Sequence, residues 1–253
     1  MEEFKSVIFK DLGRINYKEA WDFQESIFSG VLNSKSENRN RSDDNQVRTT
    51  DYLLFAEHNP VYTIGKSGDM KNLLANKNQL EDLGIEFFKI NRGGDITYHG
   101  PGQLVGYPIL NLDHFFTDIH RYLRTLEDVI IDTLFDYGLK GGRISGETGV
   151  WLDPETPFAR KICAMGVRAS RWVTMHGWAF NINTDLKYFQ HIIPCGITDK
   201  SVTSLNIELG KEIDMLDLKQ KVKYHFEKRF EVSLSNFPEK KSYLKGKNDK
   251  SKP

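Results

Sequence analysis

Two cysteines and one lysine are the residues best suited to covalent chemistry in this sequence. Cys195 stands between a proline and a glycine in residues 193–199 (IPCGITD), so we expect a loop thiol that reagents can reach. Cys163 alternates with apolar neighbours and is expected to be a packed, inert thiol. A thiol with a pKa of about 8.5 is only a few per cent thiolate at pH 7, so a nucleophilic Cys195 needs a nearby cation. Lys161 could supply that charge, although sequence spacing does not place it beside Cys195, and a lysine at a strand edge is usually just solvated.

Two glycine-containing segments could hold a ligand. Residues 92–103 (RGGDITYHGPGQ) contain four glycines, which let backbone approach a ligand closely, together with several polar side chains. This segment is either a cradle for an acyl or carbonyl group or a tight loop with a satisfied polar network. In residues 175–181 (MHGWAFN), Gly177 inside a strand indicates close approach by another backbone or a ligand. His176 alone is more often a hydrogen-bonded core residue than a catalyst.

Several familiar motifs are missing. Residues 141–148 (GGRISGET) have the spacing of a phosphate-binding loop, but Glu147 occupies the position of the lysine, where a carboxylate would repel phosphates. The sequence has no CxxC, HExxH or GxSxG motif and no close His/Cys cluster. We therefore expect no dedicated metal site.

Composition narrows the class of protein. The 253 residues include 35 basic and 35 acidic side chains, so a globally basic nucleic-acid-binding chain is not expected. Two cysteines suit a reducing compartment. The N-terminal residues are too acidic for a signal peptide, and no apolar run approaches the roughly 18 residues typical of a membrane span. These features indicate a cytoplasmic globular protein that binds neither nucleic acid nor membrane.

The elements that must position these residues can be read from hydrophobic periodicity. Helical spacing recurs over residues 17–31, 119–137 and 217–229, and Gly138 ends the second helix. Short β-rich runs cover residues 52–57, 61–64, 85–91, 105–110, 149–152, 161–169 and 172–182. The last two runs indicate a hairpin that turns near Ser170. Because the strands cluster instead of alternating singly with helices, we predict an α+β fold with a mixed or antiparallel sheet and packed helices.

Two polar segments interrupt or end this body. Residues 34–47 (SKSENRNRSDDNQV) are predicted to form an exposed loop. Residues 239–253 (EKKSYLKGKNDKSKP) are Lys-rich and predicted to be a disordered basic tail. No linker is evident between them, so we predict a single domain over residues 1–238.

Taken together, the motifs carry a resemblance to a known family. They are residues 11–13 (DLG) with Tyr17 and Gln24, and residues 57–65 (EHNPVYTIG), 92–103, 148–151 (TGVW), 161–166 (KICAMG), 176–179 (HGWA), 194–196 (PCG) and 204–205. In this order, over about residues 11–209, the sequence resembles the lipoyl(octanoyl) transferases. The resemblance implies a fold like the catalytic domain of biotin and lipoate protein ligases.

The resemblance also implies roles for individual residues. Cys195 matches the family's catalytic cysteine and Lys161 its essential lysine. The family's acyl-binding segments match Arg92, Gly93, Gly94, Asp95, Ile96, Thr97, Tyr98, His99, Ala164, Met165, Gly166, Gly177, Trp178 and Ala179. The family usually has a leucine near Phe180 and a different small residue near Cys163. These two differences from the family pattern affect the expected shape of the acyl pocket.

The implied reaction needs no cofactor. Octanoyl-acyl carrier protein would be the donor, and Cys195 would carry the octanoyl group as a thioester. The acceptors would be lysines on lipoyl domains of 2-oxoacid dehydrogenases or on the glycine cleavage H protein.

Three other functions remain open on the sequence. An ATP-dependent lipoate or biotin-type ligase could share the fold, but adenylate chemistry does not require the cysteine of residues 194–196. A non-catalytic acyl-binding protein would form no covalent adduct. A transferase that moves octanoyl groups between lipoyl domains would differ in the acceptors that it uses.

Overall fold

The computed structural model of the chain describes residues 5–194 and 201–238. Cys195 and the predicted tail at 239–253 therefore lie outside the described residues. The helices are α1 (Tyr17–Asn38), α2 (Lys77–Asp82), α3 (Ile119–Asp136), α4 (Leu205–Leu209) and α5 (Met215–Phe230). The strands are β1 (Lys5–Ile15), β2 (Asp51–His58), β3 (Val61–Ile64), β4 (Glu86–Lys89), β5 (Ile96–His99), β6 (Gln103–Ile109), β7 (Gly141–Gly142), β8 (Val150–Leu152), β9 (Arg160–Ser170), β10 (Val173–Asn181), β11 (Ser201–Val202) and β12 (Val232–Asn236).

Most of the described strands belong to one large mixed sheet. Its order is β12-β1-β2-β6-β10-β9-β8-β7, with β11 paired to β9 outside this path. The β12-β1-β2 edge and the β11-β9 pair are parallel, and the central ladders from β2 to β8 are antiparallel. A second, smaller sheet has the order β4-β3-β5. The predicted α+β class with a mixed sheet and packed helices is confirmed.

The large sheet is covered on both faces. On one face, α3 and α5 pack an apolar stripe against alternate residues of the central strands, among them Leu53, Leu104 and Phe180. On the other face, α1 packs over the residues in between, such as Leu54 and Val105. Because side chains along a strand alternate between faces, each central strand contributes to both layers.

Local sequence explains the limits of α3. The Asp118 side chain accepts a hydrogen bond from the Arg121 backbone N–H at 3.0 Å and so caps the N-terminus. Gly138, with a φ of 75°, follows the last turn and allows the chain to reverse. The predicted helices at 17–31, 119–137 and 217–229 correspond to α1, α3 and α5.

Other expectations need correction. The segment 34–47 is only partly a loop, because α1 continues to Asn38. Residues 92–103 are not one loop: β5 occupies their centre, and it pairs with β3 to build the smaller sheet. The strands β1 and β12 were missed, since their exposed positions break the apolar alternation. None of the described helices is both long and apolar enough to cross a membrane.

Candidate active site

A cavity lies between the two sheets on the face covered by α1. It spans about 520 Å³ of empty space, part of it open to solvent, and is lined by residues of β5, β6, β9 and β10, the start of α1 and the turn before β5. Small residues of the central strands, Ala164, Gly166, Gly177 and Ala179, form part of its wall and leave room that larger side chains would fill. We call this space the inner cavity.

The turn before β5 is fixed against the large sheet. The Gly93 N–H donates to the Val167 carbonyl at 2.9 Å, which ties the turn to β9. The Arg92 guanidinium, 7% exposed, donates to the Thr63 carbonyl at 2.8 Å and to its hydroxyl at 3.0 Å. A Cβ on Gly65 would lie 2.2 Å from the Gly94 carbonyl oxygen, so this close approach requires glycine. The turn is therefore rigid.

A directed chain of hydrogen bonds runs from this turn through β5. The Thr63 hydroxyl accepts from Arg92 and lies 3.3 Å from His99 Nε2, and His99 Nδ1 lies 2.9 Å from Gln103 Oε1. The Gln103 amide nitrogen donates to the Tyr98 carbonyl and to Asn181 Oδ1, so its oxygen must accept. His99 therefore carries its proton on Nδ1, and Thr63 donates to Nε2.

Three histidines are buried beside the inner cavity and held neutral. Burial, reinforced for His99 by the neighbouring His58 ring and by the positive charge of Arg92, lowers the pKa of His99 to about 3. Burial likewise lowers the pKa of His176 to about 3 and that of His58 to about 4. His58 donates from Nδ1 to the Ile15 carbonyl at 2.9 Å, which leaves Nε2 to accept from the Tyr107 hydroxyl at 2.6 Å. Neutral rings of fixed tautomer can orient a ligand without adding charge.

His176 has an unusual backbone for a strand residue. Its φ is 61°, in the left-handed region, although it lies in the middle of β10. Its Nε2 lies 3.1 Å from Asn91 Oδ1, and its backbone N–H donates to the Gln24 side chain at 3.2 Å. The neighbouring Gly177 approaches β6 so closely that a Cβ would lie 2.1 Å from the Gly106 carbonyl oxygen. This distortion brings the His176 ring to the inner cavity.

A β-bulge determines the position of Lys161. Trp151 pairs with Lys161, but the next pair is Val150 with Cys163, so Ile162 is an extra residue in β9. Ile162 and Cys163 both enter the apolar core, whereas Lys161 lines the inner cavity. Lys161 is 7% exposed, and its Nζ lies 4.5 Å from the centroid of the Trp151 ring. Without the bulge, Lys161 and Cys163 would share a face of the sheet.

The expectation of an inert Cys163 is supported by its surroundings. The residue is fully buried, and burial raises the pKa of its thiol well above the usual value. Cys163 is thus suited to packing. Within residues 5–194 and 201–238, no three His, Cys, Asp or Glu side chains are grouped in a way that could hold a metal ion.

Residues 195–200 lie outside the described part of the structure, but the described residues that flank this segment lie near Lys161. Pro194 and Val202 line a small adjoining cavity together with Lys161, Ala164 and Ala179. Val202 also pairs with Lys161 in the β11-β9 ladder. The chain therefore leaves and re-enters the described part of the structure beside this lysine.

The structure brings most of the residues expected at the site around one space. Gly93 faces a different groove, and Tyr98 packs in a separate apolar cluster with Tyr62 and Ile192. Tyr17, Val105 and Tyr107 line the inner cavity without having been assigned to it, and nothing in the local sequence of Val105 and Tyr107 distinguishes them from ordinary core residues. The expected residues that do line it are Arg92, Gly94, Asp95, Ile96, Thr97, His99, Lys161, Ala164, Met165, Gly166, Gly177, Trp178 and Ala179.

Curated relatives match almost the whole chain. An octanoyltransferase of Christiangramia forsetii is 59% identical over 231 residues, covering 91% of this chain and 98% of its own. One from Flavobacterium johnsoniae is also 59% identical, over 91% of this chain and 99% of its own. One from Cytophaga hutchinsonii is 52% identical, over 92% of this chain and 96% of its own.

Solved structures share the fold at low sequence identity. A bipartite lipoate protein ligase from Thermoplasma acidophilum, studied with its E2 lipoyl domain, superposes with a TM-score of 0.67 at 14% identity, covering 94% of this chain and 89% of its own. A lipoate-protein ligase A bound with ATP superposes with a TM-score of 0.63 at 14% identity, covering 94% and 90%. The lipoyl protein ligase A/B catalytic domain model matches residues 16–227. The resemblance seen in the sequence is confirmed, and the chain belongs to the lipoyl protein ligase A/B catalytic domain family, with curated octanoyltransferases as its relatives.

Proposed function

We propose that this protein transfers an octanoyl group from acyl carrier protein to the lysine of a lipoyl domain through a thioester on Cys195. Its relatives at 47–59% identity are octanoyltransferases, so it is an acyltransferase that acts in protein lipoylation. The observation that carries the proposal is the inner cavity, a partly open space with Lys161 and several small residues in its wall.

The inner cavity has the chemistry expected for an acyl tail. Its wall combines small residues, apolar side chains such as Ile96 and Val105, and neutral histidines, and its charged lining residues are Arg92, Asp95 and Lys161. Burying the seven carbons beyond the octanoyl carbonyl, at about 0.8 kcal/mol each, contributes roughly 5 kcal/mol. This is enough to favour a medium-length chain over a short one.

The proposed first step is thioester exchange. The Cys195 thiolate attacks the carbonyl carbon of the octanoyl thioester, and the carbon–sulfur bond to the carrier's thiol breaks. The departing thiolate takes up a proton, and the octanoyl group remains on Cys195. The nearby ammonium of Lys161 would stabilise the thiolate before attack. The position of Pro194 beside Lys161 supports this pairing.

The second step is transfer to an amine. The neutral ε-amine of the acceptor lysine attacks the acyl-enzyme, the amide forms, and Cys195 leaves as a thiolate. At a pKa of about 10.4, about one acceptor amine in two thousand is neutral at pH 7, so a base is needed. We propose that Lys161, which lines the inner cavity, accepts this proton. Both exchanges are balanced or downhill, which explains why no ATP is required.

The proposed partners follow from the reaction. The donor is octanoyl-acyl carrier protein, and the acceptors are lipoyl domains of 2-oxoacid dehydrogenases or the glycine cleavage H protein, all in the cytoplasm. An ATP-dependent ligase is the main alternative. Asp95 and Glu147 line the groove beside Lys161, and their carboxylates disfavour a triphosphate there.

Intact-protein mass spectrometry after mixing with octanoyl-acyl carrier protein tests this function. One octanoyl group should appear on the wild-type protein and on Cys163→Ala, and none on Cys195→Ala. If Cys195→Ala acquires the group, or if only ATP and free octanoate support modification of a lipoyl domain, the proposed mechanism is wrong.

A further inference from the structure

A second open space reaches the same lysine from outside. This outer groove is lined on one side by Ile119, Leu123 and Glu147, and it shares Lys161 and Gly166 with the inner cavity. It contains about 1070 Å³ of empty space, against about 520 Å³ for the inner cavity, and is the more open of the two. A reaction that joins an acyl tail to a second substrate needs two openings to the same reacting groups. The outer groove is the second opening that reaches Lys161.

Glu147 is an unused charge in this groove. Its side chain is half-buried and makes no hydrogen bond or ion pair with any residue of the two described ranges. The other carboxylate in the groove is committed: Asp95 accepts from the Ile96 N–H at 2.7 Å and from the Asn72 amide. Glu147 is thus the acidic group in the groove that is left to interact with a ligand.

The loop that carries Glu147 is anchored to α3. Arg143 donates to Glu127 at 2.6 Å and to Asp128 at 2.6 Å, and Glu127 is fully buried. The other oxygen of Glu127 accepts from the Gly149 N–H at 2.9 Å. Both ends of residues 143–149 are therefore attached to the same helix, and Glu147 is presented from a supported loop.

The walls of the groove beside Glu147 are apolar. Ile119 and Leu123 lie one helical turn apart at the start of α3, and Met165 and Val167 of β9 line the groove as well. An apolar passage with one carboxylate matches a lysine side chain, which buries its methylenes and keeps its ammonium near a polar partner. A phosphate-bearing thiol arm fits less well, because a carboxylate repels a phosphate.

We propose that the outer groove admits the acceptor lysine and that Glu147 holds its ammonium as the acceptor binds. This inference rests on the proposed function. Glu147 favours the charged form of the acceptor amine, so it acts when the acceptor binds. The acceptor ammonium gives its proton to Lys161 in a later step, and the neutral amine then attacks the acyl-enzyme. The expected effect of losing Glu147 is a higher KM for the lipoyl domain, with acyl-enzyme formation and the rate at saturation little changed.

The test separates the two half-reactions. Acyl-enzyme is first formed from octanoyl-acyl carrier protein, and its discharge is then followed against lipoyl-domain concentration. Glu147→Gln should raise the KM for the lipoyl domain about threefold at low salt, the effect of losing one partly exposed charge pair, and Glu147→Lys should raise it further. The difference should shrink as salt rises. Glu155→Gln, an exposed neighbour outside the groove, is the matched control and should behave as wild type.

The outcomes distinguish the inference from the function beneath it. Slower acyl-enzyme formation in Glu147→Gln with normal discharge would assign the groove to the donor and overturn the inference. Unchanged kinetics in both Glu147 variants, with normal acyl-enzyme, would overturn the inference alone. A wild-type protein that forms no acyl-enzyme would overturn the proposed function and, with it, this inference.

Discussion

The two faces of the large sheet are equally buried but differ in what they bury. Toward α3 and α5, the central strands present large apolar side chains, among them Phe55, Trp178 and Phe180. Toward α1, the same strands mix large side chains such as Leu54 with small ones such as Ala179, which lines the inner cavity together with the buried His99 and His176. The first face is filled around Phe55 and Phe180, whereas the second leaves the inner cavity. Burial alone therefore does not mark a site; reduced side-chain volume combined with buried polar groups does.

Variants of Lys161 and Cys163 test this comparison most directly, because the two residues lie two positions apart in β9 but on opposite faces of the large sheet. Lys161→Met should lower octanoyl transfer at least about a hundredfold, because it removes both the proposed general base and the positive charge beside the Cys195 thiolate. Cys163→Ala should keep transfer within about twofold and cost about 1 kcal/mol of unfolding free energy. Transfer to a purified lipoyl domain and urea unfolding measure the two effects.

Lys161→Arg divides the two roles of the lysine. It keeps a positive charge but cannot accept a proton near neutral pH. We expect it to form acyl-enzyme and to discharge it slowly. Full transfer activity in Lys161→Arg would rule out the role as base.

Volume changes on neighbouring residues of β10 provide a second contrast. Phe180→Ala should cost about 3–5 kcal/mol of unfolding free energy, because it opens a hole in the filled face. Ala179→Val should instead fill part of the inner cavity and lower the preference for octanoyl over hexanoyl donors about tenfold. Competition between the two donors, read by mass spectrometry, measures this preference. If Phe180→Ala changes the preference and Ala179→Val does not, the faces have been assigned the wrong roles.

The buried histidines predict a pH dependence of stability that the apolar face cannot produce. In the unfolded chain a histidine binds a proton below a pKa of about 6.5, whereas folded His176 and His99 do so only near 3 and His58 only near 4. Between these values the unfolded state holds more protons, so the free energy of unfolding is greatest above pH 6.5 and falls as pH decreases toward 4. Each such proton contributes a slope of about 1.4 kcal/mol per pH unit.

Urea unfolding at a series of pH values tests this dependence. His176→Gln should flatten the slope between pH 6 and 4.5 by about one proton, and His120→Gln, on the exposed side of α3, should leave it unchanged. Equal slopes in wild type and His176→Gln would mean that the folded protein protonates this ring readily.

Much of the fold could be predicted from local patterns. The stripe on α3 and the paired runs of β9 and β10 have clear periods, because each buries a continuous face. The strand β5 could not be recognised from the sequence, because its four residues lie between glycine-containing turns and are all buried, so they show no alternation. The continuation of α1 to Asn38 was obscured because polar residues on an exposed helix end resemble a loop.

The candidate site was predictable in its motifs but not in its geometry. The resemblance selected Lys161 and most of the cavity wall, and the structure brings these residues to one space. Tyr107 was not selected because its role depends on His58, 49 positions away. No local pattern encodes such a pair, since the contact exists only when β2 and β6 are in register.

The amino-acid sequence by itself determined the class of fold, the family and the residues able to do chemistry, since these depend on residue type, short-range period and motif order. Only the tertiary structure decided that Lys161 faces the cavity while Cys163 faces the core, that Arg92 supports a turn tied to β9, and that Glu147 lines a second groove. Bulges and strand register are settled by packing over the whole molecule, because a shift of one residue moves every side chain to the other face.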